Sequence, residues 1–227
     1  MAVIKWPKRT ERRSSKIYEA INQAFYGFDT SIFRFFTGIQ SVPLNHLNWF
    51  FTFFGGDPVA YFLMAVGLIL CFPKKTRKYG LTMFISVVLA FFITNYGIKA
   101  IFNRPRPFVT LKDTPFWPIY EKGHQFAVVG THHQPSYEPS LSFPSGHTTL
   151  AFTYTTALIS GCMWDHKKWA WWLVPWPFLV GLSRIYIFVH YPSDVLFGMI
   201  NGIIWALIGL LLAKAVYGLI EKKRQIS

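Results

Sequence analysis

Long apolar stretches, separated by short polar or basic segments, dominate the pattern of this sequence. Five such stretches can be delimited, at residues 47–72, 81–101, 148–163, 169–189 and 195–213. Most of them approach the roughly 20 residues that an α-helix needs to cross the hydrocarbon core of a bilayer. The pattern therefore predicts an all-α protein, an integral membrane helical bundle with five transmembrane helices.

The first apolar stretch contains a local interruption. Gly55, Gly56, Asp57 and Pro58 follow one another in its middle. Glycine weakens a helix, and proline removes a backbone donor and clashes with the preceding turn. We expect the helix to loosen or break here, with its outer part interfacial or re-entrant.

The N-terminal segment, residues 1–46, is basic and has a different pattern. Its apolar side chains recur at steps of three and four residues: Ile17, Ile21, Phe25 and Phe28. This period favours an amphipathic helix lying in the membrane interface. A sixth crossing would bury Glu19, Asp29 and Arg34 at about 2.5–3.5 kcal/mol each near the helix centre. Five spans with an interfacial helix are preferred, and six spans are the alternative.

Composition and charge agree with a membrane protein. The chain is 52% hydrophobic and 19% aromatic with only 15% charged residues, which is unusual for a soluble protein. Its 23 Lys and Arg against 10 Asp and Glu give a formal net charge of +13. Because the cations flank apolar stretches, they suit anionic lipid headgroups. We expect the bilayer, and not nucleic acid, as the partner; residues 47–227 form a single transmembrane domain.

The positions of the basic segments predict an orientation. Cations cluster at residues 74–78, 167–168 and 222–224. Short basic connections face the cytoplasm, so the connection at 104–143 and the turn at 190–193 face the other side. The polar residues next to that connection and that turn are then expected to meet on one non-cytoplasmic face.

Three short motifs lie at the ends of the apolar stretches on that face. They read Lys99-x6-Arg106-Pro107, Pro144-Ser145-Gly146-His147 and Arg184-x5-His190-x3-Asp194. Phosphoryl transfer develops negative charge on non-bridging oxygens, which fixed cations stabilise. Lys99, Arg106 and Arg184 are the candidate phosphate-binding cations. Arg104 is expected to touch headgroups or to cap the helix instead.

The remaining motif residues suit acid–base and nucleophilic chemistry. At the start of a helix, Ser145 can donate a hydroxyl, Gly146 allows close approach of the backbone, and His147 can protonate a leaving alkoxide. Asp194 can fold back onto the imidazole of His190. A carboxylate on one ring nitrogen leaves the other free to attack phosphorus.

In this order the three motifs resemble the signature of the type 2 phosphatidic acid phosphatase superfamily. The resemblance implies that His190 is a nucleophile forming a phosphohistidine, Asp194 orients it, and His147 is the general acid. It implies that Lys99, Arg106, Arg184, Ser145 and Gly146 hold the phosphate. It implies no metal and no cofactor, so His124, His132 and His133 are expected to be ordinary loop residues.

The function expected from these features is a membrane-embedded lipid phosphate phosphatase. It would hydrolyse a phosphomonoester or pyrophosphate headgroup on the non-cytoplasmic face, in a bacterial inner membrane. A lipid-linked phosphotransferase, and a non-catalytic phosphate- or lipid-binding membrane transporter, are the alternatives. The sequence leaves open which lipid phosphate is used: undecaprenyl pyrophosphate, phosphatidylglycerol phosphate, phosphatidic acid or a lipid A phosphate. It also leaves the oligomeric state open.

Overall fold

The protein is all-helical throughout the part of the chain that the computed structural model describes, residues 11–111 and 141–226. The predicted all-α class is therefore confirmed. The α-helices are α1 (Glu11–Ile39), α2 (Val42–Phe53), α3 (Asp57–Leu70), α4 (Arg77–Phe92), α5 (Lys99–Phe102), α6 (Pro107–Thr110), α7 (Gly146–Trp164), α8 (Pro175–Tyr186) and α9 (Pro192–Ile226). A π-helical segment, Ile93–Ile98, joins α4 to α5, and a 3₁₀-helix, Lys168–Leu173, precedes α8.

Three helical stretches of the described residues are long and apolar enough to cross a membrane. They are Val42–Leu70, Arg77–Phe102 and Pro192–Lys223, with mean hydropathies of 1.7, 1.9 and 2.3. The predicted stretch at 148–163 lies in α7. The predicted stretch at 169–189 is divided between the 3₁₀-helix and α8 because Pro175 begins a new helix. The total of five or six spans stays a prediction.

The predicted interruption of the first stretch is present. Helix α2 ends at Phe53 and α3 begins at Asp57, with Pro58 in its first turn. Proline is tolerated there because the first backbone N–H groups of a helix have no intrahelical acceptor. The turn between the two helices brings Gly55 against His147.

Small and hydroxyl-bearing residues lie where α9 packs against α7 and α4. Helix α9 packs along α7 and α4, and a Cβ added at Gly202 would come within 2.5 Å of the Thr149 carbonyl oxygen. The Asn201 amide donates to Thr94 Oγ1 at 2.8 Å, and Thr153 Oγ1 donates to the Gly202 carbonyl at 3.1 Å. Close backbone approach with interhelical hydrogen bonds is typical of helix packing in membranes.

The N-terminal helix α1 packs onto the end of the bundle where α8 gives way to α9. Phe33 is fully buried and its ring lies 4.5 Å from that of Phe188. Asp29 is also buried, with Ser193 donating to its carboxylate at 2.7 Å. Two of the predicted apolar-face residues, Ile17 and Phe28, are exposed. The helix itself is present, and its position in or across the bilayer stays a prediction.

Candidate active site

A cavity of about 190 Å³ lies where the three motifs meet. Two residues of each of the first two motifs and the histidine of the third line it. The full lining comprises Gly55, Asp57, Ala90, Phe91, Thr94, Asn95, Lys99, Arg106, Gly146, His147, Leu150 and His190. The structure thus brings together side chains from positions 99, 106, 147 and 190, as the sequence predicted.

His190 is held in a tight turn between α8 and α9. Phe188 adopts a left-handed conformation with φ of 59°, and the His190 amide donates to the Arg184 carbonyl at 3.3 Å. The ring lies with Nε2 3.5 Å from Arg106 Nη1 and Nδ1 3.6 Å from Asp194 Oδ2. One ring nitrogen therefore faces a cation of the cavity, and the other faces a carboxylate behind it.

The Asp194 carboxylate is fully buried, and both of its oxygens accept hydrogen bonds. Oδ2 accepts hydrogen bonds from Ser142 Oγ and, at 2.9 Å, from the Tyr191 amide. Arg104 Nη1 donates to Oδ1 at 2.6 Å. Ser142 Oγ also lies 3.4 Å from His190 Nδ1, so it touches both members of the pair. Sequence reasoning missed Ser142, because no spacing rule marks a serine before the second motif.

The expectation for Arg104 was wrong. Its side chain is fully buried inside the protein and does not lie on the surface, and its guanidinium lies 3.7 Å from the centre of the Tyr191 ring. Asn103 ends α5 in a left-handed conformation with φ of 48°, which turns the chain inward at this point. Asn and Asp visit this region more readily than most residues. The guanidinium pairs with Asp29 at 3.1 Å as well as with Asp194.

The three predicted phosphate-binding cations occupy different positions. Lys99 and Arg106 line the cavity, and Arg106 Nη1 also donates to the Val189 carbonyl at 3.0 Å. Arg184 does not belong to the cavity lining. It is buried on α8, its Nη1 donates to Thr52 Oγ1, and its Nε has no hydrogen-bond partner among the described residues.

The second motif forms the beginning of α7. Ser145 is the N-cap: its hydroxyl accepts from the Thr148 amide at 3.4 Å and from the Thr148 hydroxyl at 2.9 Å. It is fully buried and not part of the cavity lining, so its contact with phosphate stays a prediction. A Cβ added at Gly146 would lie 3.2 Å from Lys99 Nζ. The glycine therefore leaves room for the lysine beside the helix N-terminus, where anions bind.

His147 is packed against the turn between α2 and α3. A Cβ added at Gly55 would lie 2.6 Å from His147 Cβ and 2.9 Å from its Cα. The sequence flagged Gly55 only as a helix breaker. Its contact with the second motif depends on a segment far away in the chain.

The electrostatics of the site favour a neutral imidazole at His190. Burial, followed by the charges of Arg106, Arg184 and Lys99, holds the pKa of His190 well below its usual value of about 6.5. Only a neutral imidazole has a lone pair with which to attack phosphorus. The same cations attract the anionic group that would be attacked.

No group of three or more potential metal ligands occurs within residues 11–111 and 141–226. His124, His132 and His133 lie outside the described residues.

A helical membrane bundle whose internal cavity combines cations and two histidines, with a buried carboxylate behind one of those histidines, defines a phosphate-handling membrane protein. Comparison with known families makes this specific, because the model of the PAP2 superfamily matches residues 75–217. The chain belongs to the PAP2 superfamily, as the three motifs predicted, and the predicted class of enzyme, a phosphatase of lipid phosphates, is confirmed with it.

Individual relatives agree with this assignment. An undecaprenyl-diphosphatase of Sulfolobus acidocaldarius is 29% identical over 78% of this chain and 74% of its own length. An undecaprenyl-diphosphatase of Bacillus subtilis is 32% identical over 64% of each chain. The crystal structure of a PAP2-type phosphatidylglycerolphosphate phosphatase of Bacillus subtilis superposes with a TM-score of 0.56, at 27% identity over 92% of each chain.

Proposed function

We propose that the protein hydrolyses a lipid phosphate through a phosphohistidine formed on His190. The orientation of His190 carries this proposal. Its Nε2 faces the cavity beside Arg106, and its Nδ1 faces Asp194 and Ser142. A protein that only binds or transports phosphate needs the cations of this cavity but gains nothing from a histidine backed by a carboxylate.

In the first step, His190 Nε2 attacks phosphorus and the bond from phosphorus to the leaving oxygen breaks. Burial, followed by the charge of Arg184, lowers the pKa of His147, so this step requires the negative charge of the bound phosphate to keep His147 protonated. His147 then gives its proton to that oxygen, and Asp194 stabilises the positive charge that the His190 ring acquires. Lys99 and Arg106, which line the cavity, stabilise the charge on the non-bridging oxygens, and Arg184, which lies outside the lining, is proposed to join them when phosphate is bound. Arg106 suits this role because its planar fork contacts two oxygens at once.

In the second step, water attacks the phosphohistidine and His147 accepts a proton from that water. The bond between Nε2 and phosphorus breaks, inorganic phosphate leaves, and both histidines return to their starting states. One residue thus acts as acid and then as base, as microscopic reversibility requires.

The proposed substrate is a lipid whose phosphate or diphosphate enters the cavity while its hydrocarbon chain stays in the bilayer. The cavity volume of about 190 Å³ is compatible with a phosphate or diphosphate headgroup. The names of two relatives support a polyprenyl diphosphate as the first candidate. The charge pattern of the connections supports a non-cytoplasmic site, and we propose a bacterial inner membrane as its location.

Release of inorganic phosphate by purified protein in detergent micelles tests the proposal. The panel contains undecaprenyl diphosphate, phosphatidylglycerol phosphate and phosphatidate, with glycerol added as a competing acceptor. We expect free phosphate from at least one lipid, and brief reaction with labelled lipid should trap acid-labile phosphate on the protein. His190→Ala should trap none, whereas His166→Asn, at an exposed turn after α7, should behave as wild type.

Three outcomes would contradict the proposal. Label that persists on His190→Ala would show that His190 is not the nucleophile. Absence of turnover with the whole panel would show that the protein is not a phosphatase of these lipids. Phosphate appearing on glycerol in place of free phosphate assigns a phosphotransferase.

A further inference from the structure

A buried network of charges lies behind the cavity and connects it to the N-terminal helix. Arg104 is at its centre and is fully buried, as is Asp194, and Asp29 on α1 is 3% exposed. Arg104 Nη1 donates to Asp194 Oδ1 at 2.6 Å, and Nη2 donates to Asp29 Oδ2 at 3.1 Å. Asp29 lies outside residues 75–217, the part that the family model matches.

Further hydrogen bonds fix each member of this network. Arg104 Nε donates to Asn22 Oδ1 at 2.8 Å, so α1 supplies two of the acceptors around the guanidinium. The Ser193 amide and hydroxyl donate to the two oxygens of Asp29 at 2.7 and 2.8 Å. Buried charges are tolerated when they are paired and hydrogen-bonded in this way.

The balance of charge explains why two carboxylates surround one guanidinium. Paired with Arg104 alone, Asp194 would present a nearly neutral ion pair to His190. Asp29 pairs with the other terminal nitrogen of the same guanidinium, so the three groups together keep one net negative charge. That charge lies next to the ring that becomes positive when the bond from His190 Nε2 to phosphorus forms.

We propose that Asp29 and Arg104 are positioning residues for this reaction. Arg104 fixes the Asp194 carboxylate so that Oδ2 stays directed to Ser142 and His190. Asp29 fixes Arg104 and offsets its charge. Helix α1 therefore contributes a positioning residue to the active site. This inference rests on the proposed phosphohistidine chemistry and adds Asp29, which lies outside all three motifs, and Arg104, which occupies an unspecified position of the first.

Asp29→Asn tests the inference, because asparagine keeps the shape of the side chain and removes its charge. Residues that orient a metal ligand from behind change activity by about 10- to 100-fold, and by analogy we expect a fall of that size in kcat with KM changed less than about threefold. The rate of phosphoenzyme formation in a single turnover should fall in parallel. Glu19→Gln removes a carboxylate from an exposed position of the same helix and should behave as wild type.

Two further variants keep the test decisive if Asp29→Asn folds poorly. Asn22→Ala retains all three charges but removes one acceptor of Arg104, and it should lower kcat severalfold without a change in KM. The double variant Asp29→Asn with Arg104→Gln removes one charge of each sign. The fold-loss in kcat of the double variant should be smaller than the product of the fold-losses of the two single variants, since the groups act as a unit.

The outcomes separate this inference from the proposed function. Wild-type kcat per folded molecule in Asp29→Asn and Asn22→Ala, while wild type itself releases phosphate, overturns the inference alone. A variant whose only change is a raised KM or a lower yield of folded protein, with an unchanged rate of phosphoenzyme formation, also overturns it. Such a result would mean that the network contributes to stability and not to the reaction. A wild-type protein without any phosphatase activity overturns the proposed function, and this inference with it.

Discussion

Gly55→Ala probes whether the break between α2 and α3 positions His147, the proposed general acid. A Cβ at position 55 would lie 2.6 Å from His147 Cβ. Carbon atoms pack comfortably at about 3.5–4.0 Å, so His147 or the turn must move by about 1 Å. The glycine backbone is not the obstacle, since no glycine of the described residues has a positive φ. The effect therefore comes from contact with His147.

The size of the effect follows from this displacement. Misplacing a catalytic group by about 1 Å can cost about 10²-fold, and general acid catalysis contributes about 10²- to 10⁴-fold. We expect kcat for a lipid phosphate to fall by about 10²-fold in Gly55→Ala. Overpacking a core by one methyl group costs about 1–3 kcal/mol, so the variant should fold with a lowered Tm.

The assay compares two leaving groups. A lipid alkoxide needs a proton from His147, whereas an aryl phosphate with an acidic phenol departs largely without one. The loss in kcat should be large for the lipid and small for the aryl phosphate. Gly27→Ala is the matched control, because a Cβ on that residue of α1 meets nothing within 4 Å.

Two results would refute this reasoning. Wild-type turnover of the lipid by Gly55→Ala would show that His147 is not displaced or is not needed. Equal losses for both leaving groups would show that the damage lies elsewhere in the cavity.

The remaining predictions concern pH, chelation and sidedness. The lowered pKa of His190 keeps it neutral as pH falls through 6.5, so kcat/KM should decline only at lower pH, when the ring is protonated. In Arg106→Gln that decline should move to higher pH, and an unmoved profile would contradict the charge effect. EDTA should leave turnover intact and vanadate should inhibit competitively, since the cations of the cavity would hold a mimic of the transition state; activity lost to EDTA and restored by a divalent ion would contradict this. With Cys71 and Cys162 replaced, a cysteine at Lys122 should react with an impermeant thiol reagent in intact cells and one at Lys167 should not. The reverse labelling would place the site on the cytoplasmic side.

The sequence predicted those parts of the site that depend on local geometry. Lys99 and Arg106 flank one helix end, and His190 and Asp194 flank one short turn, so their spacing alone indicates that each pair can converge. The all-α class and the break at Gly55 likewise follow from apolar length and from glycine and proline chemistry.

The parts that the sequence did not predict depend on partners that are distant along the chain. Asp29 meets Arg104 across 75 residues, and Ser142 meets Asp194 across 52. Considered in isolation, Asp29 indicated an unfavourable free energy of burial in a membrane helix, and Arg104 was interpreted as a surface cation. Each becomes favourable only once the other is present, and no periodicity records such a pairing.

The π-helical segment Ile93–Ile98 has a consequence for the length of the chain at this point. A π turn holds one residue more than an α turn, and each residue of an α-helix advances the side chain by about 100°. The π turn therefore accommodates one extra residue, and α5 continues on the face that a regular helix one residue shorter would present. The same residues wound as a regular α-helix would carry Lys99 about 100° further round the helix axis and away from the cavity. The π turn thus sets the face on which Lys99 lies, although none of its own side chains is a motif residue.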